Sequence, residues 1–187
     1  MSKNISPKVR FKGFINPWEQ YKLSELASIV TGKLDANAAK EDGAYAFFTC
    51  GKETLKTDTY SFDGDAILIS GNGDLGFTRK YSGKFDAYQR TYVLQDFSVN
   101  FHFLEHAIHR YLPDRINFES FGGAMPYIKL DTLADLVINV PDIEEIKKIT
   151  ICLDSIDNLI VHYQRKLELL EIIKKAFLDK MFVKVEV

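Results

Sequence analysis

Apolar residues recur at alternating steps of three and four along the carboxyl-terminal part of the chain. This spacing is typical of a helix that packs along another helix, because a mean period of 3.5 residues keeps one apolar seam on one side. A helix of roughly 40 residues would be about 60 Å long. The seam residues are Ile146, Ile149, Leu153, Ile156, Ile160, Tyr163, Leu167 and Leu170.

The predicted helix is too long to bury its seam against its own domain. A helix of about 60 Å would overshoot a domain formed by the residues before Pro141, so we expect a partner helix. The alternative is a core helix folded back on its own domain, but sustained heptads favour a coiled coil. Asp142, followed three residues later by Glu145, predicts a capping box at the start of the helix.

The first 140 residues have short apolar or aromatic runs separated by turn residues, a pattern that predicts strands. Apolar spacing in Pro17–Val30 predicts a short helix, and a second helix is predicted from Phe101 to Leu112, ending at Pro113. The predicted fold class is α+β: a globular domain over residues 1–140 with a mixed or antiparallel sheet, then one long coiled-coil α-helix over 141–187. The predicted strands are Tyr45–Cys50, Ala66–Ser70, Thr91–Leu94 and Leu136–Val140.

The composition narrows the class of protein. With 46% hydrophobic residues the chain can bury a core, and its formal net charge of -2 argues against non-specific coating of nucleic acid. Cys50 and Cys152 lie far apart, so neither a disulfide framework nor a cysteine metal site is expected. The sequence has no apolar run long enough to span a membrane and no targeting segment, so a cytoplasmic location is expected.

A basic and aromatic segment from Gly71 to Tyr92 is the candidate ligand-binding surface. Lysine and arginine suit contacts with phosphates, whereas asparagine, glutamine and arginine suit bidentate contacts with base edges. For each side chain the alternative is a solvated surface position. The candidate DNA-binding residues are Arg79, Lys80 and Lys84 for phosphates, Asn72, Gln89 and Arg90 for bases, Tyr88 packed beside them, and Lys33.

Two patterns suggest other chemistry. Gly71, Gly73 and Gly76 form a G-x-G-x-x-G run after a predicted strand, which is the pattern of a dinucleotide site, but a lone run is weak evidence and no further βαβ unit follows. A glycine-rich hairpin or recognition loop is the other interpretation. His102, His106 and His109 would share one face of the second helix and could hold zinc, but surface histidines are commoner and no metal is expected. No serine elbow, P-loop or paired-carboxylate motif predicts a catalytic residue.

Several stretches together resemble the specificity subunit of type I restriction-modification systems. The resemblance covers nearly the whole chain and depends on the order of the stretches. They are Lys8-Val9-Arg10-Phe11-Lys12-Gly13-Phe14, Trp18-Glu19-Gln20, Gly64-Asp65-Ala66-Ile67-Leu68-Ile69-Ser70 with Gly71 to Gly76, Gly122-Gly123-Ala124-Met125-Pro126 and Asn139-Val140-Pro141. The segment from Ile143 to Ile149 and the helix ending in Lys175-Ala176-Phe177-Leu178-Asp179-Lys180-Met181-Phe182 resemble the conserved region of the family.

The resemblance implies a target-recognition domain over residues 1–140 that reads double-stranded DNA and catalyses no reaction. It implies that separate modification subunits methylate adenine and that restriction subunits cleave DNA. S-adenosylmethionine, ATP and Mg are therefore expected on these partner subunits, and no cofactor is expected in this chain. The alternative functions are a coiled-coil interaction module without DNA specificity and a nucleotide-binding enzyme that uses Gly71 to Gly76.

The resemblance also implies how the chain assembles. A complete family member has two recognition domains and two conserved helices packed antiparallel, whereas this sequence has one of each. A homodimer through an antiparallel coiled coil is therefore expected, and it would read a two-fold symmetric, bipartite site. Half-sites one helical turn apart are separated by about 34 Å. An antiparallel pair of helices about 60 Å long would place the two recognition domains far enough apart to reach separate half-sites, so the helix would set their spacing. Ile146 stands where the family usually has glutamine, a departure that bears on binding of the modification subunit there.

Overall fold

The computed structural model describes residues 6–119 and 126–182. The predicted motif residues Gly122 to Met125, like residues 183–187, lie outside the described residues. The chain divides into two compact units, residues 1–147 and residues 148–187. Its elements are β1 (Glu19–Lys22), α1 (Leu23–Leu26), β2 (Ser28–Thr31), β3 (Tyr45–Phe48), β4 (Thr54–Thr57), β5 (Asp65–Ser70), β6 (Thr78–Ser82), β7 (Phe85–Ala87), β8 (Thr91–Gln95), α2 (Phe101–Glu119), α3 (Leu130–Ala134), β9 (Val137–Val140) and α4 (Ile143–Met181).

A four-stranded antiparallel sheet in the order β2-β8-β5-β6 forms the centre of the first unit, which we call the globular unit. The inner strand β5 is buried from Ala66 to Ser70. A strand that is covered on both faces has a continuous apolar run, which is why it could be predicted from the sequence. Helix α2 packs against β5 and β6 and buries Leu104 and Ile108.

A three-stranded sheet in the order β4-β3-β7 completes the globular unit. Strand β3 pairs antiparallel with β4 and parallel with β7. Phe48 and Phe85 from this sheet share an apolar cluster with Leu68 and Val93 from the central sheet. The rings of Phe48 and Phe85 meet edge to face with centroids 5.7 Å apart, and each buried side chain of this size contributes roughly 1.5–3 kcal/mol. The predicted α+β class is confirmed, and where a mixed or antiparallel sheet was predicted the globular unit contains both kinds.

The prediction of a helix in Pro17–Val30 is wrong except in the middle of that segment. Only Leu23–Leu26 is helical, and strands β1 and β2 lie on either side of it. Ile29 and Val30 pair with β8, where β-branched residues fit a pleated sheet better than a helix. Pairing with a distant strand therefore overrides the local apolar spacing.

Helix α2 runs on past the proline that was predicted to end it. Pro113 lies inside the helix, which continues to Glu119. Leu112 is buried just before the proline, and the side chain of Ile116 packs over Gly76 after it. These contacts on both sides offset the cost of a proline within a helix, which is about 3 kcal/mol.

The start of the chain is held against the start of α4. Strand β1 pairs antiparallel with β9, so Glu19 lies opposite Val140. The carboxylate of Glu145 accepts hydrogen bonds from Nε and Nη2 of Arg10, both at 2.7 Å, and from Nε1 of Trp18 at 3.2 Å. Glu145 is only 1% exposed, and its hydrogen bond with Arg10 raises the pKa of the guanidinium.

The predicted capping box takes a different form. The backbone carbonyl of Asp142 accepts hydrogen bonds from the backbone N–H groups of Glu145 and Ile146, so Asp142 does precede the first turn of α4. The side chain of Glu145 instead binds Arg10 and Trp18, while that of Asp142 accepts a hydrogen bond from Asn16 at 2.9 Å. The half-buried side chains of Arg10 and Trp18 thus take the place of the predicted helix-capping contact of Glu145.

Helix α4 is the predicted long helix, with 39 residues from Ile143 to Met181. At about 1.5 Å per residue it is about 58 Å long. Ile146 is 3% exposed within the globular unit, so it is not available to a partner helix. The prediction that Ile146 belongs to the seam is therefore wrong. No helix among the described residues is long and apolar enough to cross a membrane.

Replacing Glu145 with glutamine is expected to destabilise the globular unit, because an amide has only one oxygen to accept the two N–H groups of Arg10 and carries no charge. The midpoint of thermal unfolding should fall by several degrees. Glu144→Gln is the matched control, since Glu144 is an exposed carboxylate of the same helix turn that pairs with Lys147. Equal melting temperatures for the two variants would contradict the role given to Glu145.

Candidate nucleic-acid interface

Four connections between strands meet at one edge of the globular unit. We call them together the loop platform: residues 32–36 after β2, 49–53 after β3, 71–77 after β5, and 88–90 between β7 and β8. The backbone N–H groups of Gly71, Gln89 and Asp74 donate to the carbonyl oxygens of Arg90, Leu34 and Cys50 at 2.9, 3.0 and 3.2 Å. Because each loop is hydrogen-bonded to another, the platform is a preorganised surface.

Two glycines allow the loops to come this close. A Cβ at Gly32 would overlap the carbonyl groups of Ala87 and Tyr88. A Cβ at Gly71 would lie 2.5 Å from the carbonyl oxygen of Arg90. Glycine is needed at both positions because backbone approaches backbone there.

The loop platform brings together five of the eight predicted DNA-binding residues. Lys33, Gln89 and Arg90 are exposed on it, and Asn72 and Tyr88 are half-buried. Asn72 and Tyr88 line a cleft of about 530 Å³ that is open to solvent. The other residues that line this cleft are Ala36, Thr49, Cys50, Gly51, Gly73 and Asp74.

Arg79 has a structural role that the sequence did not indicate. Its Nη1 donates to the carbonyl oxygen of Lys52 at 3.1 Å, and its Nη2 donates to that of Gly51. The guanidinium also lies over the rings of Phe48 and Phe77, at 5.2 and 4.7 Å from their centroids. Burial lowers the pKa of Arg79. Its side chain therefore holds the loop after β3 in place.

Lys80 packs against helix α2. Its Nζ lies 3.3 Å from a carboxylate oxygen of Glu105 and 3.3 Å from Nδ1 of His102. Nε2 of His109 lies 3.0 Å from the other oxygen of Glu105, and Nδ1 of His106 lies 3.8 Å from the first. The three histidines thus surround a lysine–glutamate pair, and the ammonium group beside His102 would repel a metal cation bound there.

Lys84 lies away from the platform. It follows β6, at the opposite end of that strand from the loop after β5. Its Nζ is 4.5 Å from the ring centroid of Tyr60, and the hydrogen bond with Tyr60 raises the pKa of Lys84. The three cations predicted to bind phosphates are therefore not part of the surface that gathers the predicted base contacts.

Three platform residues were not predicted from the sequence. Lys52 is exposed on the loop after β3, and Thr49 and Asp74 line the cleft. Thr49 and Lys52 lie outside the basic segment that directed attention to Gly71–Tyr92. The turn residue Gly51, directly after a predicted strand, was the available signal.

The glycine run does not form a dinucleotide site. It joins β5 to β6, which pair antiparallel, whereas a dinucleotide fingerprint leads from a strand into a helix. The backbone N–H groups of Leu75, Gly76 and Phe77 donate to the carbonyl oxygens of Gly73, Ser70 and Asp74. These N–H groups are used within the loop, so they are not available to cradle a phosphate.

Comparison with known proteins gives consistent matches. The family model for the type I restriction modification DNA specificity domain matches residues 15–171. The specificity subunit of the type I restriction enzyme EcoDI from Escherichia coli is 36% identical over 160 residues, which are 86% of this chain and 36% of that protein. The chain therefore spans about a third of the length of this curated relative.

Solved structures share the fold. The S subunit of the type I restriction-modification system from M. genitalium matches with a TM-score of 0.76 and 20% identity, over 95% of this chain and 49% of that chain. The HsdS subunit from Thermoanaerobacter tengcongensis matches with a TM-score of 0.59 and 20% identity, over 95% of this chain and 47% of that one. A sheet-rich globular unit followed by a long helix is thus a fold shared with proteins about twice as long.

The contacts of Glu105 predict a pH dependence of stability. Burial by itself would raise the pKa of Glu105, but the hydrogen bond from His109 and the charge of Lys80 outweigh it, so the pKa is lowered. Such a carboxylate stabilises the fold above its unfolded-state pKa, about 4.3, and the contribution is lost as pH falls through the lower folded-state value. The free energy of unfolding should therefore be lower for Glu105→Gln than for the wild type at pH 7, and this difference should shrink below about pH 4.3.

Chemical denaturation at a series of pH values measures this difference. Asp114→Asn is the control, because Asp114 is an exposed carboxylate of the same helix. A deficit for Glu105→Gln that stays constant from pH 7 to pH 3 would show that the carboxylate charge has no part in it.

Proposed function

The chain belongs to the family of type I restriction modification DNA specificity domains, and on that premise we propose that its globular unit recognises a specific sequence in double-stranded DNA. The loop platform is the observation that carries this proposal. Exposed cations, Lys33, Lys52 and Arg90, lie on the same loops as the amide side chains of Asn72 and Gln89. Cations suit phosphates and amides suit base edges, so both components of specific binding are present on one surface.

The overall charge of the chain agrees with this kind of binding. A protein that coats DNA without regard to sequence gains its affinity from a broad basic surface. This chain has a formal net charge of -2, and the platform cations are a local exception. Local cations fix the register of the protein on the duplex, while the side chains between them discriminate among bases.

We propose further that α4 pairs with the α4 of a second copy of the chain in an antiparallel coiled coil. Its apolar seam is between 46% and 63% exposed at Ile156, Ile160, Tyr163, Leu167 and Leu170. Such a row of apolar side chains is unfavourable in water, and the heptad spacing suits a second helix. Because the seam recurs along the helix, two copies in opposite directions can cover each other, and two globular units would then read a two-fold symmetric site.

The chain is proposed to carry out no chemistry of its own. Methylation with S-adenosylmethionine and ATP-dependent cleavage with Mg would belong to modification and restriction subunits that this chain directs to its target. A coiled-coil module without DNA specificity is the second candidate function, and the exposed seam of α4 would serve it equally well. The two candidates differ in whether the loop platform binds DNA.

The coiled-coil proposal predicts that charges in the seam separate the chains. We expect the wild-type protein to have the mass of a dimer in light scattering, and Ile156→Asp/Ile160→Asp to have that of a monomer, because two carboxylates cannot be buried at the helix contact. Asn158→Asp/His162→Asp is the matched control, with the same spacing outside the seam. A monomeric wild type, or a dimer that survives the seam variant, would contradict the proposal.

The DNA-binding proposal predicts a steep dependence on salt. Three platform cations per chain and two chains per duplex would release about six counterions, so log Kd should change with log salt with a slope of about 5 in magnitude. Removing Lys33, Lys52 and Arg90 together, each to alanine, should flatten most of this slope. The measurement is fluorescence anisotropy with a labelled duplex at several salt concentrations.

A matched triple variant separates local contacts from net charge. Lys12, Lys22 and Lys147 lie outside the platform, so replacing all three with alanine changes the net charge equally. We expect this variant to keep nearly the full slope. The same slope for the wild type and the platform variant would favour the interaction module.

A further inference from the structure

The cleft in the loop platform has a chemistry different from that of its surroundings. Among the eight described residues that line it, the side chains that can form hydrogen bonds are Thr49, Asn72, Asp74 and Tyr88, with the thiol of Cys50. None of the eight is a lysine or arginine. The cations of the platform, Lys33, Lys52 and Arg90, lie on the same loops but do not line the cleft.

This distribution distinguishes two kinds of DNA contact. A phosphate is a poor ligand for a cleft that holds a carboxylate and no cation, because like charges repel. The edge of a base pair suits it, since an amide can bind adenine through N6 and N7, and a carboxylate can accept from the amino group of cytosine. We propose that this cleft reads the major-groove edge of a base pair through the amino group of its adenine or cytosine, and that Arg79 is a positioning residue that holds one wall of the cleft. The proposal rests on the proposed function and assigns it to particular side chains.

Arg79 is suited to hold that wall. Its guanidinium donates to the carbonyl oxygens of three consecutive residues: Gly51, Lys52 at 3.1 Å and Glu53 at 3.5 Å. It also lies over the aromatic rings of Phe48 and Phe77. The planar fork of arginine can bond several acceptors at once and stack on rings, which a lysine ammonium does not reproduce. A lysine at this position would keep the charge and lose the geometry.

The wall held by Arg79 is joined to the rest of the cleft. The carbonyl oxygen of Cys50 accepts a hydrogen bond from the backbone N–H of Asp74 at 3.2 Å, and the Cys50 thiol donates to the carbonyl oxygen of Arg90 at 3.2 Å. A shift of the loop after β3 would therefore displace Asp74 and the turn that carries Tyr88. Loss of the Arg79 contacts should therefore loosen the whole cleft. A binding site misplaced by about 1 Å loses much of its discrimination between bases.

The test compares sequence selection with salt dependence. The wild type, Asn72→Ala and Arg79→Lys are each used to select from a pool of duplexes with a randomised core at fixed salt, and the bound duplexes are sequenced. We expect the wild type to enrich a defined motif, and both variants to lose the preference at one base pair or two adjacent ones. On the wild-type motif, discrimination against a substitution at that position should fall about tenfold, as for the loss of one bidentate base contact.

Salt dependence separates positioning from phosphate binding. Arg79→Lys, Arg79→Gln and Asn72→Ala should each keep the wild-type slope of log Kd against log salt, whereas the control Lys33→Ala should keep the motif and lower the slope by about 1. Thermal unfolding checks that each variant is folded. If Arg79→Lys does not fold, Phe77→Leu removes one ring that stacks on the guanidinium and should relax the same base preference.

Several results would overturn the proposal. If Asn72→Ala enriches the same motif with the same preference at every position, the cleft does not read a base. If Arg79→Lys keeps the motif and Arg79→Gln lowers the slope, Arg79 is a phosphate contact. If the wild type enriches no motif at all, the proposed function itself fails, and this outcome is distinct because it appears before any variant is compared.

Discussion

The buried carboxylate of Glu145 joins the two ends of the globular unit. It belongs to the first turn of α4, yet it accepts hydrogen bonds from Arg10 and Trp18, more than 120 residues earlier in the chain. A carboxylate that is taken out of water needs a partner of opposite charge with good geometry, and the fork of Arg10 meets that requirement. The pairing of β1 with β9 beside it closes the same junction. The first and last segments of the globular unit are therefore fixed to each other.

In the globular unit, the residues that stabilise the fold and the residues proposed to bind DNA lie in different places. The apolar residues of β5 and β8 and the aromatic cluster around Phe48 are buried, while the connections at one edge of the sheets carry the polar side chains. Cations occur in both places. Arg79 and Lys80 are bound by carbonyl and carboxylate groups of the protein, whereas Arg90 is exposed on the loop platform. A charged residue in a basic segment is thus available to bind DNA only where the fold leaves its head group exposed.

Sequence reasoning succeeded where local pattern decides the structure and failed where distant contacts do. The long helix α4 and the buried run of β5 depend on periodicity and apolar content, both visible within a window of residues. The strand β2 could not be seen in the same way, because Ile29 and Val30 are extended by pairing with β8, more than 60 residues away. The role of Arg79 was missed because its acceptors, the carbonyl groups of the loop after β3, precede it by 26 to 28 residues. The family resemblance supplied the function that periodicity alone does not give.

In the proposed assembly each globular unit reads a short sequence, and the paired α4 helices set the distance between the two half-sites. One measurement tests it directly: insert a second copy of residues 160–166 after Lys166, which adds one heptad in register, and determine the preferred duplex by selection from a randomised pool. Seven residues lengthen the helix by about 10.5 Å, close to the rise of three base pairs of DNA. The account predicts the same two half-sites with a spacer about three base pairs longer. Half-sites with an unchanged spacer would contradict it.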